Sequence, residues 1–261
     1  MRERMPATPT KRRRLWQLGL QAALDGGPGT CHFAITSVCN ASLGFCGFAV
    51  DRLPMKSRIS VTLDEAKLAA EILASNGVHF LIFTGGEFLA HRDLIAMIAY
   101  TSRIGMVPML VTNGSLLTPK RIDALADAGL TSVFISIDAT DADTHDRNRG
   151  LPGVCARIRD ANAHFHLHKI ESTASVTMNR LIDDYQKLPA FLESLGFGGL
   201  TFSYPLTTLA SSYLSHARSR LVEYTSEELH ECFEAAKQLK RSILGPESSS
   251  FDRRHAAPSA G

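Results

Sequence analysis

Two cysteines, Cys39 and Cys46, are the residues of this sequence best suited to bind a metal cluster. They flank a loop of mostly small residues that follows an apolar run, FAITSVC, typical of a β-strand. The chain has five cysteines in 261 residues, too few and too scattered for a disulfide scaffold. In such a chain, cysteines that are close in sequence indicate metal or cluster binding, and thiolates are the standard ligands of iron–sulfur clusters.

A glycine-rich turn with an acidic residue, Gly85-Gly86-Glu87, follows the next predicted strand. Glycines allow a backbone to approach a ligand closely, and Glu87 supplies a negative charge. The turn alone is a weak signal, because Gly-Gly marks many loops. Its position one strand–helix unit after the cysteine loop makes the signal strong.

The two motifs together resemble those of the radical S-adenosylmethionine (radical SAM) superfamily, which carries C-x3-C-x2-C after the first strand and GGE after the second. Cys39, Phe45 and Cys46 match the first motif, and Leu43 stands at the middle cysteine. The resemblance implies a [4Fe–4S] cluster held by cysteines, with Cys39 and Cys46 as ligands. It also implies reductive cleavage of S-adenosylmethionine to a 5′-deoxyadenosyl radical, which abstracts hydrogen from a substrate.

The resemblance further assigns residues to the cofactor. Gly85, Gly86 and Glu87 would hold the amino group of its methionine, and Phe45 would stack on the adenine. Polar residues at later strand ends would make secondary contacts: Asn113, Ser136, Asp138, Asn179, Ser203 and Tyr204. For Asp138 an alternative stays open, in which its side chain caps the following helix.

Two departures from the family pattern bear on activity. Leucine offers no lone pair to iron, so Leu43 leaves the cluster one ligand short. Cys31 cannot replace it, because eight extended residues at ~3.3 Å each place it roughly 26 Å from Cys39. Cys155 and Cys232 fall in predicted helices and are expected to be core thiols. Phe88 replaces the usual proline after the glutamate and is expected to add bulk and loosen the backbone beside the cofactor site.

The segment His164–His168 holds three alternating histidines. It falls at the predicted end of a helix, and no matching acidic or cysteine partner is identified for it. A solvated helix end is therefore the expectation, rather than a metal site.

Apolar runs alternate with helix-periodic stretches, which predicts parallel strands with crossover helices. A capping box at Thr62 and Glu65, a Thr118–Pro119 helix start with a stop at Gly129, and a helix over 91–104 agree with this. With the resemblance, the fold class is α/β, a partial (β/α)6 TIM barrel. The six predicted strands are Cys31–Cys39, Val78–Thr84, Val107–Thr112, Ser132–Asp138, Ser172–Met178 and Leu200–Tyr204.

The expected organisation has four parts: a basic helical extension (1–29), the barrel (30–207), a C-terminal helical segment (208–244) and a disordered tail (245–261). The net charge of +2 gives no strong nucleic-acid signal. No apolar run is long enough to span a membrane, and the expected location is the cytoplasm. For the basic start, a transit peptide or an acidic partner stays open as an alternative.

Two functional classes stay open. The first is a radical SAM enzyme with an unknown substrate and an electron donor such as a flavodoxin or ferredoxin. The second is a cluster-deficient radical SAM-like binding or scaffold protein, or an inactivated variant, which Leu43 favours. An aldolase-like barrel would need a lysine or an acid–base pair at a strand end, and none is found.

Overall fold

The computed structural model describes residues 15–49, 54–204 and 219–243. Six parallel strands form one sheet in which each strand neighbours the next in sequence. Within the described residues the sheet is open, with β1 and β6 at its edges, so the architecture is a partial (β/α)6 barrel as predicted. The strands are β1 Gly29–Thr36, β2 Val78–Gly85, β3 Val107–Thr112, β4 Ser132–Ile137, β5 Glu171–Thr177 and β6 Gly199–Ser203.

Helices connect the strands and cover the outer face of the sheet. The capping box at Thr62 and Glu65 begins α2, and Thr118 caps α4 with Pro119 in its first turn. Gly129 follows α4 with φ of 95°, a conformation that suits glycine. The helices are α1 Leu15–Asp25, α2 Leu63–Ser75, α3 Leu94–Arg103, α4 Pro119–Asp127, α5 Ala142–Arg149, α6 Val154–Leu167, α7 Leu188–Ser194 and α8 Ser226–Ile243.

The main core lies between the sheet and these helices. Leu81 on β2, Leu110 on β3 and Ile135 on β4 are fully buried. They pack in one cluster with helix residues such as Ile122 and Ile158. This layered burial aligns the carboxyl ends of the strands at one rim, where parallel α/β folds place their ligands.

The predicted strands agree with the observed ones to within one or two residues, except at β1. That strand runs from Gly29 to Thr36, so Cys39 lies beyond it in an irregular loop. The helix predicted over 91–104 is observed as the shorter α3, Leu94–Arg103. A separate 3-10 turn at Phe88–Ala90 precedes it. The basic residues before Leu15 and the predicted tail at 245–261 lie outside the described residues. None of the described helices is long and apolar enough to cross a membrane.

Candidate active site

The cysteine loop leaves β1 at the rim of the sheet. The Cys39 thiol is half-buried, and the amide of Ala41 donates a hydrogen bond to its sulfur over 3.4 Å. Burial raises the pKa of Cys39, and the charges of Glu87 and Cys46 act in the same direction. Neither cysteine is in a disulfide. The unliganded Cys39 is therefore a thiol at neutral pH, and binding of a metal must displace its proton.

Leu43 occupies the middle position of the motif with a buried side chain, 8% exposed. It packs with Phe45 and with Val222, which lies just before α8, in a small apolar cluster that Cys46 and Leu221 border. The amide of Arg180, after β5, donates to the carbonyl of Leu221 over 2.8 Å and holds this segment at the rim. Hydrocarbon thus fills the space beside the position where the family has a thiolate.

The turn Gly85-Gly86 is joined to the β1 end by its backbone. The amide of Gly86 donates to the carbonyl of Thr36, and that of Glu87 to Val38, both over 2.7 Å. A Cβ on Gly85 would lie 2.2 Å from the Thr36 oxygen, and one on Gly86 would lie 2.1 Å from the Val38 oxygen. Both positions therefore need glycine because the end of β1 and the residues after it pass so close. The sequence alone predicts that the glycines make room for a ligand.

Glu87 points its carboxylate into the rim and is 1% exposed. The carboxylate accepts hydrogen bonds from the Thr112 hydroxyl at 2.9 and 3.0 Å, from the Asn113 amide at 2.8 Å and from the Leu89 amide at 3.1 Å. Burial raises its pKa, and these hydrogen bonds together with the charge of Arg149 counteract that rise. Within the described part of the chain no cationic side chain donates a hydrogen bond to it.

Asn113 connects this carboxylate to the cysteine loop. Its backbone amide donates to Glu87, and its side-chain Nδ2 donates over 2.9 Å to the side-chain oxygen of Asn40, the residue after Cys39. Ser115 donates to the Asn113 side-chain oxygen from both its amide and its hydroxyl. The end of β3 thereby fixes the relative positions of the two motifs.

Arg149, at the end of α5, forms a buried ion pair with Asp138. Their Nη2 and Oδ1 atoms are 2.8 Å apart, and the two side chains are 7% and 1% exposed. The carbonyl of Arg149 accepts from the amide of Ser42, so α5 ends against the cysteine loop. Gly150 permits this contact, since a Cβ there would lie 2.2 Å from the Ser42 hydroxyl.

One cavity at the rim brings together most of the predicted site residues. Its lining includes Cys39, Phe45, Cys46, Gly85, Gly86, Glu87, Asn113 and Ser136, together with Leu43. Asp138 and Asn179 lie behind it: Asp138 pairs with Arg149, and Asn179 donates to the carbonyl of Asp138 over 2.9 Å. Asp141, and not Asp138, caps α5, so the capping alternative for Asp138 is wrong.

Several residues of the site were missed by sequence reasoning. Thr112, Arg149 and Thr177 also line the cavity. Thr112 and Thr177 are strand-end residues beside predicted ones, and the strand-end rule would have found them. Arg149 comes from the end of a helix, and only its position before Gly150, a left-handed helix stop, hints at a fixed backbone there.

Phe88 behaves differently from the prediction. Its side chain is 1% exposed and belongs to the main core, and it is absent from the cavity lining. The bulk that replaces the family's proline is therefore directed away from this cavity.

The family model of the radical SAM superfamily matches residues 33–179, more than half of the chain. This chain belongs to the radical SAM superfamily. The match spans both motifs and every strand from β2 to β5.

Curated relatives in the superfamily are similar over about half of the chain. An AdoMet-dependent heme synthase from Methanosarcina barkeri is 35% identical over 136 residues, which is 52% of this chain and 38% of the relative. A PqqA peptide cyclase from Rhodopseudomonas palustris is 32% identical over 133 residues, 51% of this chain and 35% of the relative. The chain thus spans well under half the length of these enzymes.

Solved structures agree on the fold. SuiB from Streptococcus suis bound to the precursor peptide SuiA has a TM-score of 0.65 at 13% identity, over 86% of this chain and 49% of SuiB. Methylornithine synthase has a TM-score of 0.56 at 13% identity, over 73% of this chain and 60% of that enzyme. At these identities the likeness concerns the radical SAM fold alone.

The donor set does not fit a cluster with three protein thiolates. Among the described residues, Cys39 and Cys46 are the cysteines that line the cavity, and Leu43 is packed in hydrocarbon. Cys155 is buried in the main core and Cys232 packs against it, as expected for core thiols, and Cys31 also packs against this core. Burial raises the pKa of Cys155, which disfavours the thiolate a cluster needs. The described chain offers two of the three thiolates.

The histidines of the segment 164–168 do lie at the end of a helix, α6, as predicted. The reason given against a metal role is wrong, however. Asp123, on α4, accepts from both His164 and His168, so an acidic partner is present. The pairing could not be predicted from the sequence because Asp123 lies 41 residues before His164.

Proposed function

We propose that this chain binds S-adenosylmethionine in the rim cavity and serves radical SAM chemistry there. The observation that carries the proposal is the Glu87 carboxylate, which is buried in the wall of the cavity that the two cysteine thiols also line. An ionised carboxylate in a low-dielectric site is stabilised by a cation, and the amino group of S-adenosylmethionine is such a cation. The superfamily relatives carrying this chemistry are enzymes.

The hydrogen bonds at Glu87 prepare it for that role. Donors at Thr112, Asn113 and Leu89 hold both carboxylate oxygens, so little reorganisation is needed when a ligand arrives. Gly85 and Gly86 keep the backbone beside Glu87 free of side chains. Glu87 would therefore orient the methionine end of the cofactor toward the thiols.

Other predicted residues take direct or indirect roles. Phe45, Asn113 and Ser136 line the cavity and would contact the cofactor. Asp138 and Asn179 would act as positioning residues, because they hold Arg149 and the end of β4 rather than the cavity surface. Arg149 would then present a fixed positive charge to an anionic part of the ligand.

Cys39 and Cys46 would supply two thiolates to an iron–sulfur cluster. A bound [4Fe–4S] cluster supplies the electron for reductive cleavage in this superfamily, and the third ligand would have to come from outside the two thiols. The electron donor is proposed to be a flavodoxin or ferredoxin, and the location the cytoplasm.

A second candidate function is favoured by the packing of Leu43. Leu43 forms a buried apolar cluster with Phe45 and Val222. Among the described residues, no other cysteine replaces the thiolate that the family has at position 43. Under this second candidate the chain lacks a complete cluster. It binds S-adenosylmethionine without cleaving it, or it binds a partner. The enzyme and the cofactor-binding form of the second candidate both require the Glu87 clamp, and they differ in the state of the cluster.

Calorimetric titration of the anaerobic full chain with S-adenosylmethionine tests the shared step. Glu87→Gln removes the charge at nearly constant shape, and we expect at least about a tenfold loss of affinity, the equivalent of one hydrogen bond to a charged group. Glu193→Gln, at an exposed position on α7, is the matched control and should bind like the wild type. Equal affinity of wild type and Glu87→Gln would refute the clamp.

A further inference from the structure

A second group of ligand atoms lies on the outer helical layer, away from the rim cavity. The Nε2 atoms of His164 and His168 are 2.8 and 2.7 Å from the same oxygen, Oδ1 of Asp123. The three ligand atoms lie within 4.8 Å of one another. Among the described residues, this is the one cluster of three His, Cys, Asp or Glu side chains close enough to hold a metal ion. None of the three residues lines the rim cavity.

Secondary structure fixes this convergence. His164 and His168 are four residues apart at the end of α6, so they share one face of the helix. Asp123 lies in the middle of α4, which packs beside α6. The imidazole rings have centroids 5.3 Å apart and are tilted by 56°, so they converge on the carboxylate without stacking.

The three side chains are partly exposed to solvent. The side chains of His164 and His168 are 24% and 31% exposed, and that of Asp123 is 52% exposed. The Asp123 carboxylate oxygen accepts a hydrogen bond from each of the two histidines. Two imidazole nitrogens and one carboxylate oxygen are ligand types that a borderline divalent metal such as Zn²⁺ prefers.

We propose that His164, His168 and Asp123 form a binding site for a divalent transition-metal ion of the Zn²⁺ class. Bonds of ~2.0–2.2 Å place ligand atoms of a tetrahedral site about 3.3 Å apart. The two nitrogens therefore need to withdraw from the Asp123 oxygen by only about half an ångström. Each histidine binds the ion in its neutral form, with its single N–H proton moved through solvent from Nε2 to Nδ1, and water completes the coordination.

Such an ion would cross-link α4 to α6 on the side of the barrel opposite to the sheet interior. The site has no part in the proposed cofactor chemistry and does not depend on it. Its consequence is stability, because a ligand that binds only the folded chain shifts the unfolding equilibrium.

The test uses the full chain without a polyhistidine tag, titrated with Co²⁺ and then Zn²⁺ at about pH 7.5, where free imidazole is neutral. Visible Co²⁺ absorption reports binding, and sulfur-to-cobalt charge-transfer bands reveal any thiolate ligation. The titration is repeated with Cys39→Ser/Cys46→Ser, which removes the thiols of the rim. We expect one ion per chain, without charge-transfer bands, in that background.

Asp123→Asn and His168→Gln should each weaken Co²⁺ binding at least about tenfold. His166→Gln, at an exposed histidine on the same helix that is outside the group, is the matched control and should bind as before. Zn²⁺ at a hundredfold excess over its Kd should raise the Tm by at least about 5 °C in the control, and by less in the two variants. Unchanged binding in both variants, or no Co²⁺ bound by the wild type, would overturn the proposal and leave only hydrogen bonds between two helices.

Discussion

The backbone amide of Asn113 donates a hydrogen bond to the carboxylate of Glu87, with an N···O distance of 2.8 Å. This bond joins the end of β3 to the turn after β2, and the Asn113 side chain continues it to Asn40 in the cysteine loop. Three segments that are distant in sequence are thereby held around one buried carboxyl group.

The buried carboxyl group of Glu87 should make the free energy of unfolding depend on pH. Because burial raises the folded-state pKa of Glu87, the folded chain retains this proton at pH values where the unfolded chain has lost it. The free energy of unfolding of the cofactor-free wild type should therefore fall, relative to Glu87→Gln, as the pH rises through the folded pKa. Urea denaturation of both proteins from about pH 5 to about pH 8 measures this difference. A difference that does not change with pH would contradict it.

The ion pair of Asp138 and Arg149 should be costly to break. Asp138→Ala leaves a buried guanidinium without its carboxylate, and we expect a loss of about 3–5 kcal/mol in the free energy of unfolding. Lys187→Gln breaks an exposed pair with Asp183 and should cost less than about 0.5 kcal/mol. Chemical denaturation compares the two; similar losses would show that the buried pair has no special role.

His145 should make the chain sensitive to mild acid. Burial, aided by the charge of Arg149, lowers its pKa from 6.5 to about 4. The unfolded chain binds this proton first, so stability is lost as the pH falls from 6.5 toward 4, by about 1 kcal/mol per pH unit. His145→Asn should remove that slope between about pH 6.5 and pH 5, and the exposed control His166→Asn should retain it. An unchanged slope in His145→Asn would count against the assignment.

The glycines of the GGE turn should tolerate no side chain. Gly85 has φ of 128°, and a Cβ there would meet the Thr36 carbonyl at 2.2 Å. Gly85→Ala should therefore cost about 3 kcal/mol or more of the free energy of unfolding, even in the absence of any cofactor. Gly198→Ala is the control, since its Cβ would lie 4.0 Å from the nearest atom. A mild effect of Gly85→Ala would mean that the glycine serves the ligand alone.

Much of the fold could be predicted from the sequence because it depends on local pattern. Apolar runs located β2 to β6 to within a residue or two, and the polar residues after them located the rim. The end of β1 was placed three residues too late, because FAITSVC contains no turn residue that marks a stop and only tertiary pairing with β2 decides where the strand ends.

The long-range pairs could not be predicted in this way. Arg149 reaches the cavity from a helix end, and Asp123 meets His164 across two helices. Such pairs depend on how helices pack around the sheet, for which a single sequence carries no periodic signal. The placement of Asp138 and Asn179 behind the cavity follows from the same packing.

The most direct test of the central claim is iron analysis and EPR after anaerobic iron–sulfide reconstitution of the wild type and Leu43→Cys, with and without S-adenosylmethionine. On the proposed account Glu87 clamps the cofactor and Cys39 and Cys46 supply two of three thiolates, so the wild type should hold well under four irons. Leu43→Cys should approach about four irons per chain, with a reduced signal that S-adenosylmethionine perturbs. A wild type that already holds about four irons with a cofactor-sensitive signal, or a Leu43→Cys variant that gains no iron, would contradict this account of the site.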